Sequence, residues 1–136
     1  MTVIEHSEMA IRGEDDIVLV RRRVRDLAQA CSFDTFATAA VTTAASELAR
    51  NVWVHGGGGV ATLERIADDT RYGVRAVFRD EGPGIADVQS ALAGGRSTVR
   101  SMGLGLSGSR RLVDEFDLTS EPGRGTMVAI VKWAPF

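Results

Sequence analysis

Asp80 and its neighbours carry the strongest chemical signal in this 136-residue sequence. The run Tyr72-Gly73-Val74-Arg75-Ala76-Val77-Phe78-Arg79 reads as a strand and leads into Asp80-Glu81-Gly82-Pro83-Gly84-Ile85. Strand side chains alternate between faces, so Val74, Ala76, Phe78 and Asp80 share one side. That parity points the Asp80 carboxylate toward the covered face of the sheet. A buried carboxylate is costly without donors. The two glycines and the proline turn the chain tightly beside it. Together they predict a slot for a flat ligand that carries an amino group. A plain Asp-Gly turn between two elements would use the same residues.

Two further stretches could act on such a ligand. Glu47 and Asn51 are four residues apart, hence neighbours on one helix edge. A glutamate can serve as general base toward a hydroxyl or a water. The asparagine oxygen is a hard ligand suited to Mg²⁺, which takes few protein ligands and completes its shell with phosphates and waters. An ordinary exposed helix edge is the competing account of this pair. Gly103-Leu104-Gly105-Leu106-Ser107-Gly108 would let backbone amides approach an anion at a helix start. The string also spells the dinucleotide fingerprint, but that motif directly follows a strand. Here the polar stretch Ser97-Thr98-Val99-Arg100-Ser101 comes first, and only 33 residues follow Gly103. A phosphate-binding lid that feeds a helix fits better, with Ser97, Thr98 and Arg100 supplying hydroxyls and a charge. A loop with a glycine-eased helix start remains the alternative.

Elements of matching period must position these residues. Thr2 to Arg12 alternates as a first strand, and Glu14-Asp15-Asp16 puts acids where a helix begins. Ile17, Val20, Val24, Leu27, Ala28 and Cys31 then recur at helical spacing. A second helix is expected from near Asp34 to about Val54, buried through Val41, Ala44, Ala45, Leu48 and Val52 and ended by Gly56-Gly57-Gly58-Gly59. Val60–Ala67 and Tyr72–Asp80 read as a hairpin. A short helical piece is expected over Asp87–Ala93, a mobile polar loop over Gly94–Met102, and a third main helix from Gly103 to Phe116. Leu118–Ser120 and Thr126–Trp133 should close the sheet. The order β-α-α-β-β-α-β-β predicts one domain, residues 1–136. Its fold class is a two-layer α/β (α+β) sandwich, with a mixed, mostly antiparallel sheet covered on one face by helices.

Composition narrows the function. The chain is 44% hydrophobic and 25% charged, which suits a globular domain with a core of its own. The net charge of −2 supplies no drive toward nucleic acid or membrane. No apolar run approaches the roughly 20 residues of a membrane span. The first residues lack the basic and apolar regions of a signal peptide, and the single cysteine, Cys31, suits a reducing compartment; the expectation is cytoplasmic. One lysine, Lys132, lies in a strand near the C-terminus, so the lysine of P-loop and protein-kinase-fold sites is missing. Phosphate chemistry here must rely on amides, arginines and a metal.

Taken in order, Glu47-xxx-Asn51, Asp80-x-Gly82-x-Gly84, Gly103-x-Gly105 and Gly125-Thr126 resemble the GHKL superfamily of ATP-binding domains, with the Bergerat fold. Asn51-Val52-Trp53-Val54-His55 matches its N box, Asp80 to Ile85 its G1 box and Gly103 to Leu106 its G2 box. A chain of this length is most similar to the bacterial anti-sigma serine/threonine kinases. The resemblance implies that Asp80 accepts the adenine amino group of ATP, with a water bridging to Thr126, and that Gly82, Gly84 and Ile85 border the ring. It implies Asn51 as the Mg²⁺ ligand, His55 beside it, and Gly103, Leu104, Gly105, Leu106 and the lid residues Ser97 and Thr98 around the phosphates. Arg100 matches a lid arginine across a one-residue gap. Glu47 is implied as the base that activates a partner's serine or threonine. Implied partners are STAS-domain proteins as substrates and a phosphatase bound on release. Two other functions use the same residues: a nucleotide-loaded module that sequesters a sigma factor or other regulator, and a minimal ATPase in which Glu47 activates water.

Overall fold

The computed structural model describes residues 1–85 and 100–134. Its elements are β1 (Thr2–Ile11), α1 (Glu14–Ala30), α2 (Thr35–Val54), β2 (Gly59–Asp68), β3 (Arg71–Asp80), α3 (Arg100–Leu112), β4 (Glu115–Glu121) and β5 (Gly125–Trp133). The strands form one sheet in the order β1-β2-β3-β5-β4, and all four pairings are antiparallel. Helices lie on one face, which makes the expected two-layer sandwich. The sheet, expected to be mixed and mostly antiparallel, is antiparallel at every described pairing.

Local chemistry explains the two long helices. Asp34 caps α2 by accepting the Ala37 N–H at 2.7 Å. The first turn of α1 has three acids instead of a side-chain cap, and Asp16 accepts the Arg12 N–H at 2.8 Å. The stripe Ile17, Val20, Val24, Leu27 and Ala28 is buried on α1. Val41, Ala44, Ala45, Leu48 and Val52 are buried on α2. Both pack on Ala61, Leu63, Val74, Ala76, Phe78, Val128 and Ile130 of the sheet. The alanines of α2 let it sit close to α1 and to the strands. Gly57 and Gly58 take positive φ after α2 and release the chain into β2.

Two expected boundaries move. The third helix is described from Arg100 and ends at Leu112, so Gly103 and Gly105 lie inside it instead of opening it. Phe116 belongs to β4, where it stands opposite Ile130. Two residues past the helix end, the Asp114 N–H donates to the Val131 carbonyl at 2.9 Å. That bond to β5 starts strand pairing before a further helical turn can form. The expected helical piece over Asp87–Ala93 and the loop residues before Arg100 lie outside the described residues.

Candidate functional site

The register of β3 against β5 puts Asp80 opposite Thr126 at one end of the sheet. Both belong to the face that the helices cover, as the parity with Val74, Ala76 and Phe78 predicts. Beneath them is a cavity of about 240 Å³ whose walls include Leu48, Asn51, His55, Ile85, Leu106 and Val128. Phe78 forms part of its apolar floor. A mostly apolar hollow with a few converging polar groups is the ordinary form of a small-molecule site. A larger groove of about 930 Å³ opens on the far side of Asp80 and Thr126. Its walls mix glycine backbone, charged side chains such as Arg12, Arg79 and Arg124, and the apolar Ile11, Trp53, Val60 and Met127, and it is more polar and more open to solvent than the smaller cavity.

Asp80 is held from several sides. One carboxylate oxygen accepts the Gly82 N–H at 2.9 Å. Burial raises its pKa above the usual aspartate value, while the backbone N–H groups of Gly82 and Thr126 and the nearby His55 pull the other way. The pKa of His55 is lowered by burial, with the Asp80 charge opposing. His55 caps α2, its N–H donating to the Asn51 carbonyl at 3.0 Å. Glycines make this packing possible. A Cβ at Gly56 would overlap the Asp80 carboxylate, and one at Gly125, where φ is +92°, would overlap the Asp80 carbonyl.

Asn51 is set by α2 and lines the cavity. Its Nδ2 is buried and has no hydrogen-bond partner among the described residues. A buried amide left open in this way is expensive unless something in the cavity meets it. The open Nδ2 is a donor, so the group that meets it in the cavity must be an acceptor. The oxygen of the same amide is the hard atom that an Mg²⁺ ligand would have to offer.

The structure thus brings Asn51, His55, Asp80, Gly84, Ile85, Leu106 and Thr126 around one cavity. Gly82 is not on its wall; it backs the site by donating to Asp80 and packing on Gly56. Glu47 is not on the wall either. It stands half-exposed one turn earlier on α2, about 6 Å along the axis from Asn51. Arg100, Gly103, Leu104 and Gly105 belong to the backbone of α3. Ser97 and Thr98 lie outside the described residues.

Sequence reasoning missed Gly56 and Ser120. By sequence Gly56 reads only as a helix terminator, yet its missing side chain makes room for Asp80. Ser120 accepts the Ile85 N–H at 2.8 Å, donates to the Gly125 carbonyl at 3.1 Å and lies 2.9 Å from the Thr126 hydroxyl. Its strand offers no motif, and only the register Ser120 to Thr126 brings it to the site.

Known proteins resemble this chain in sequence and in fold. Residues 13–132 match the family model of the histidine kinase-like ATPase domain. The chain is 40% identical over 129 residues to the serine/threonine-protein kinase RsbT of Bacillus subtilis, covering 95% of this chain and 97% of that protein. It is 30% identical to the anti-sigma F factor of Thermoanaerobacter sp. over 68% of each chain. Among solved structures, a chain of the SiaB–SiaC complex from Pseudomonas aeruginosa superposes with a TM-score of 0.56 at 17% identity, covering 97% of this chain and 91% of that one. The histidine kinase domain of the blue-light activated kinase EL346 from Erythrobacter litoralis gives 0.54 at 20% identity, covering 88% and 59%. At those identities the two structures establish the fold.

Proposed function

The chain belongs to the histidine kinase-like ATPase domain family, and on that premise we propose that it is an ATP-dependent protein serine/threonine kinase that works by partner switching among regulator proteins. The observation that carries the reading is the convergence of Asp80, Thr126 and Asn51 on one apolar cavity. Adenine presents an amino group to the acceptors on Asp80 and Thr126 and slides its faces between Ile85 and the apolar floor. At about 240 Å³ the cavity is smaller than the roughly 300–1,000 Å³ of a whole small-molecule site. It houses the base, and the triphosphate extends past Asn51 toward α3. Gly103, Leu104, Gly105 and Leu106, with Ser97, Thr98 and Arg100, are assigned to the phosphates. His55 supports the Asn51 end.

Asn51 would hold Mg²⁺, which when bound neutralises charge on the phosphates. Glu47 is the catalytic base. It takes the proton from a partner's serine or threonine hydroxyl as that oxygen bonds to the γ-phosphorus. The bond from the γ-phosphorus to the β–γ bridging oxygen breaks, and ADP leaves. Such a transfer needs positioning and charge compensation more than covalent help from the protein. The place of Glu47, outside the base cavity and half-exposed, suits a hydroxyl that arrives on another protein. The substrates are STAS-domain regulators, and release from them frees the kinase to engage a phosphatase.

Similarity to anti-sigma F factors also favours a second reading, a nucleotide-loaded module that sequesters a regulator with little catalysis. Transfer of labelled γ-phosphate from ATP to a STAS-domain protein separates the two. The kinase reading expects label on a serine or threonine. Stable binding of the STAS protein with no label transferred would select the sequestering module instead.

A further inference from the structure

Ser120 joins three parts of the site, and its hydrogen bonds fix the direction of a fourth group. A hydroxyl has one proton and two lone pairs. The Gly125 carbonyl can only accept, so its 3.1 Å contact is a hydrogen bond only when Ser120 gives its proton there. One Ser120 lone pair takes the Ile85 N–H at 2.8 Å. Either hydroxyl could donate across the remaining contact, 2.9 Å to Thr126 Oγ1, but only Thr126 donating to Ser120 satisfies all three contacts at once. In that arrangement Thr126, which lines the cavity, turns its proton toward Ser120 and leaves lone pairs for the cavity. Asp80, directly opposite in register, is acceptor-only when ionised. The wall these two residues form offers no hydroxyl donor.

We propose that Ser120 is a specificity-determining residue that makes this wall select an exocyclic amino group over an oxo group, hence adenine over hypoxanthine or guanine. The inference rests on the cavity being the base site of the proposed kinase. An amino group brings two N–H donors to two acceptors. An oxo group in its place meets lone pairs from both residues, and Thr126 cannot turn its proton toward it without abandoning Ser120. Ser120 touches no ligand itself; it acts through Thr126.

The test compares dissociation constants for ATP and inosine triphosphate, whose base carries an oxo group where adenine has the amino group. Calorimetric titration of the full chain gives the ratio of the two for wild type, Ser120→Ala and Ser120→Thr. Ser120→Ala should narrow the preference for ATP by roughly tenfold, because Thr126 becomes free to donate to the oxo group. Ser120→Thr, which keeps the hydroxyl, should restore the wild-type ratio. A mere loosening of the turn would weaken both nucleotides alike, and an unchanged ratio in Ser120→Ala would overturn the inference. Should that variant not fold, Thr126→Val replaces the acceptor by a methyl group of the same shape. It too should narrow the preference, and an unchanged ratio there overturns the proposal. If wild type itself shows no preference for ATP over inosine triphosphate, the base-site reading fails, and the inference falls with it.

Discussion

At one end of the β3–β5 ladder Gly73 faces Trp133; at the other Asp80 faces Thr126. The pairing is the same, and what fills the space differs. The Trp133 end is plugged and satisfied. Its indole is 8% exposed and packs with Ile66 and Val131. Its backbone N–H donates to Asp114 at 2.7 Å and its Nε1–H to Glu115 at 2.9 Å, while the Arg71 guanidinium lies 3.9 Å above the ring. On the covered side, Cys31 closes the same end by donating from Sγ to the Gly73 carbonyl at 3.4 Å. The Asp80 end is hollow. Glycines replace side chains around it, Asn51 has a buried polar atom without a partner among the described residues, and Asp80 keeps a carboxylate there against its burial cost. Satisfied polar groups and a filled volume stabilise a fold. Spare polar capacity beside an empty volume is what a ligand site requires, and it costs the unliganded protein stability.

The largest expected effect lies beside the hollow end. Glu47→Ala should slow phosphoryl transfer by about 10²–10⁴-fold, the usual worth of a general base, and leave ATP affinity intact. Equal transfer rates in the two proteins would remove Glu47 as the base. Next comes the plugged end. Trp133→Ala should cost about 3–5 kcal/mol in a denaturant titration, the range for truncating a buried aromatic. The folded fraction should still bind ATP with wild-type affinity, and a selective loss of binding would erase the contrast between the two ends.

A smaller effect is expected from Asp80→Asn. It should weaken ATP binding by roughly tenfold, because a charge-assisted acceptor becomes a neutral amide. Calorimetry checks the affinity, and the apo protein's melting temperature at neutral pH should not fall. That second expectation follows from the raised pKa. A buried acid whose folded pKa exceeds its unfolded value favours folding fully below the unfolded value, and this advantage is lost as pH rises through the folded one. Ligand binding should run in the opposite sense, since the proposed contact to ATP uses the ionised carboxylate. Acidification should weaken ATP binding at a pH above the ordinary aspartate value of 3.8, and Asp80→Asn should flatten that dependence. A wild-type affinity independent of pH down to that value would break the link between Asp80 and the base.

The smallest effect is expected at Cys31. Burial pushes its thiol up to about 11, so it should resist alkylation at pH 8 in the native state and react once the chain unfolds. Rapid native labelling would show the Trp133 end to be looser than its packing implies.

Much of this was legible from residue types and periods. The bounds of α2 follow from Asp34 as cap and the glycines after Val54, both strong local signals. The parity of β3 placed Asp80 inward because a strand's two faces leave no third choice. The third helix was harder. Glycine at Gly103 and Gly105 has low helix propensity, yet tertiary context overrides propensity, and both lie within α3. Phe116 continued a helical spacing, but pairing with β5 took it into a strand.

The sequence by itself determined the site's ingredients: a carboxylate at a strand end, an amide on a helix edge, and glycines where backbone must pass closely. Those follow from local rules that act within one element. Only the tertiary structure decided that Asn51, His55, Asp80 and Thr126 share one cavity, that Glu47 stands outside it, and that Gly56 and Ser120 belong to its support. Register between strands distant in the chain and the packing of α2 on the sheet set those distances, and no local preference of any one residue encodes them.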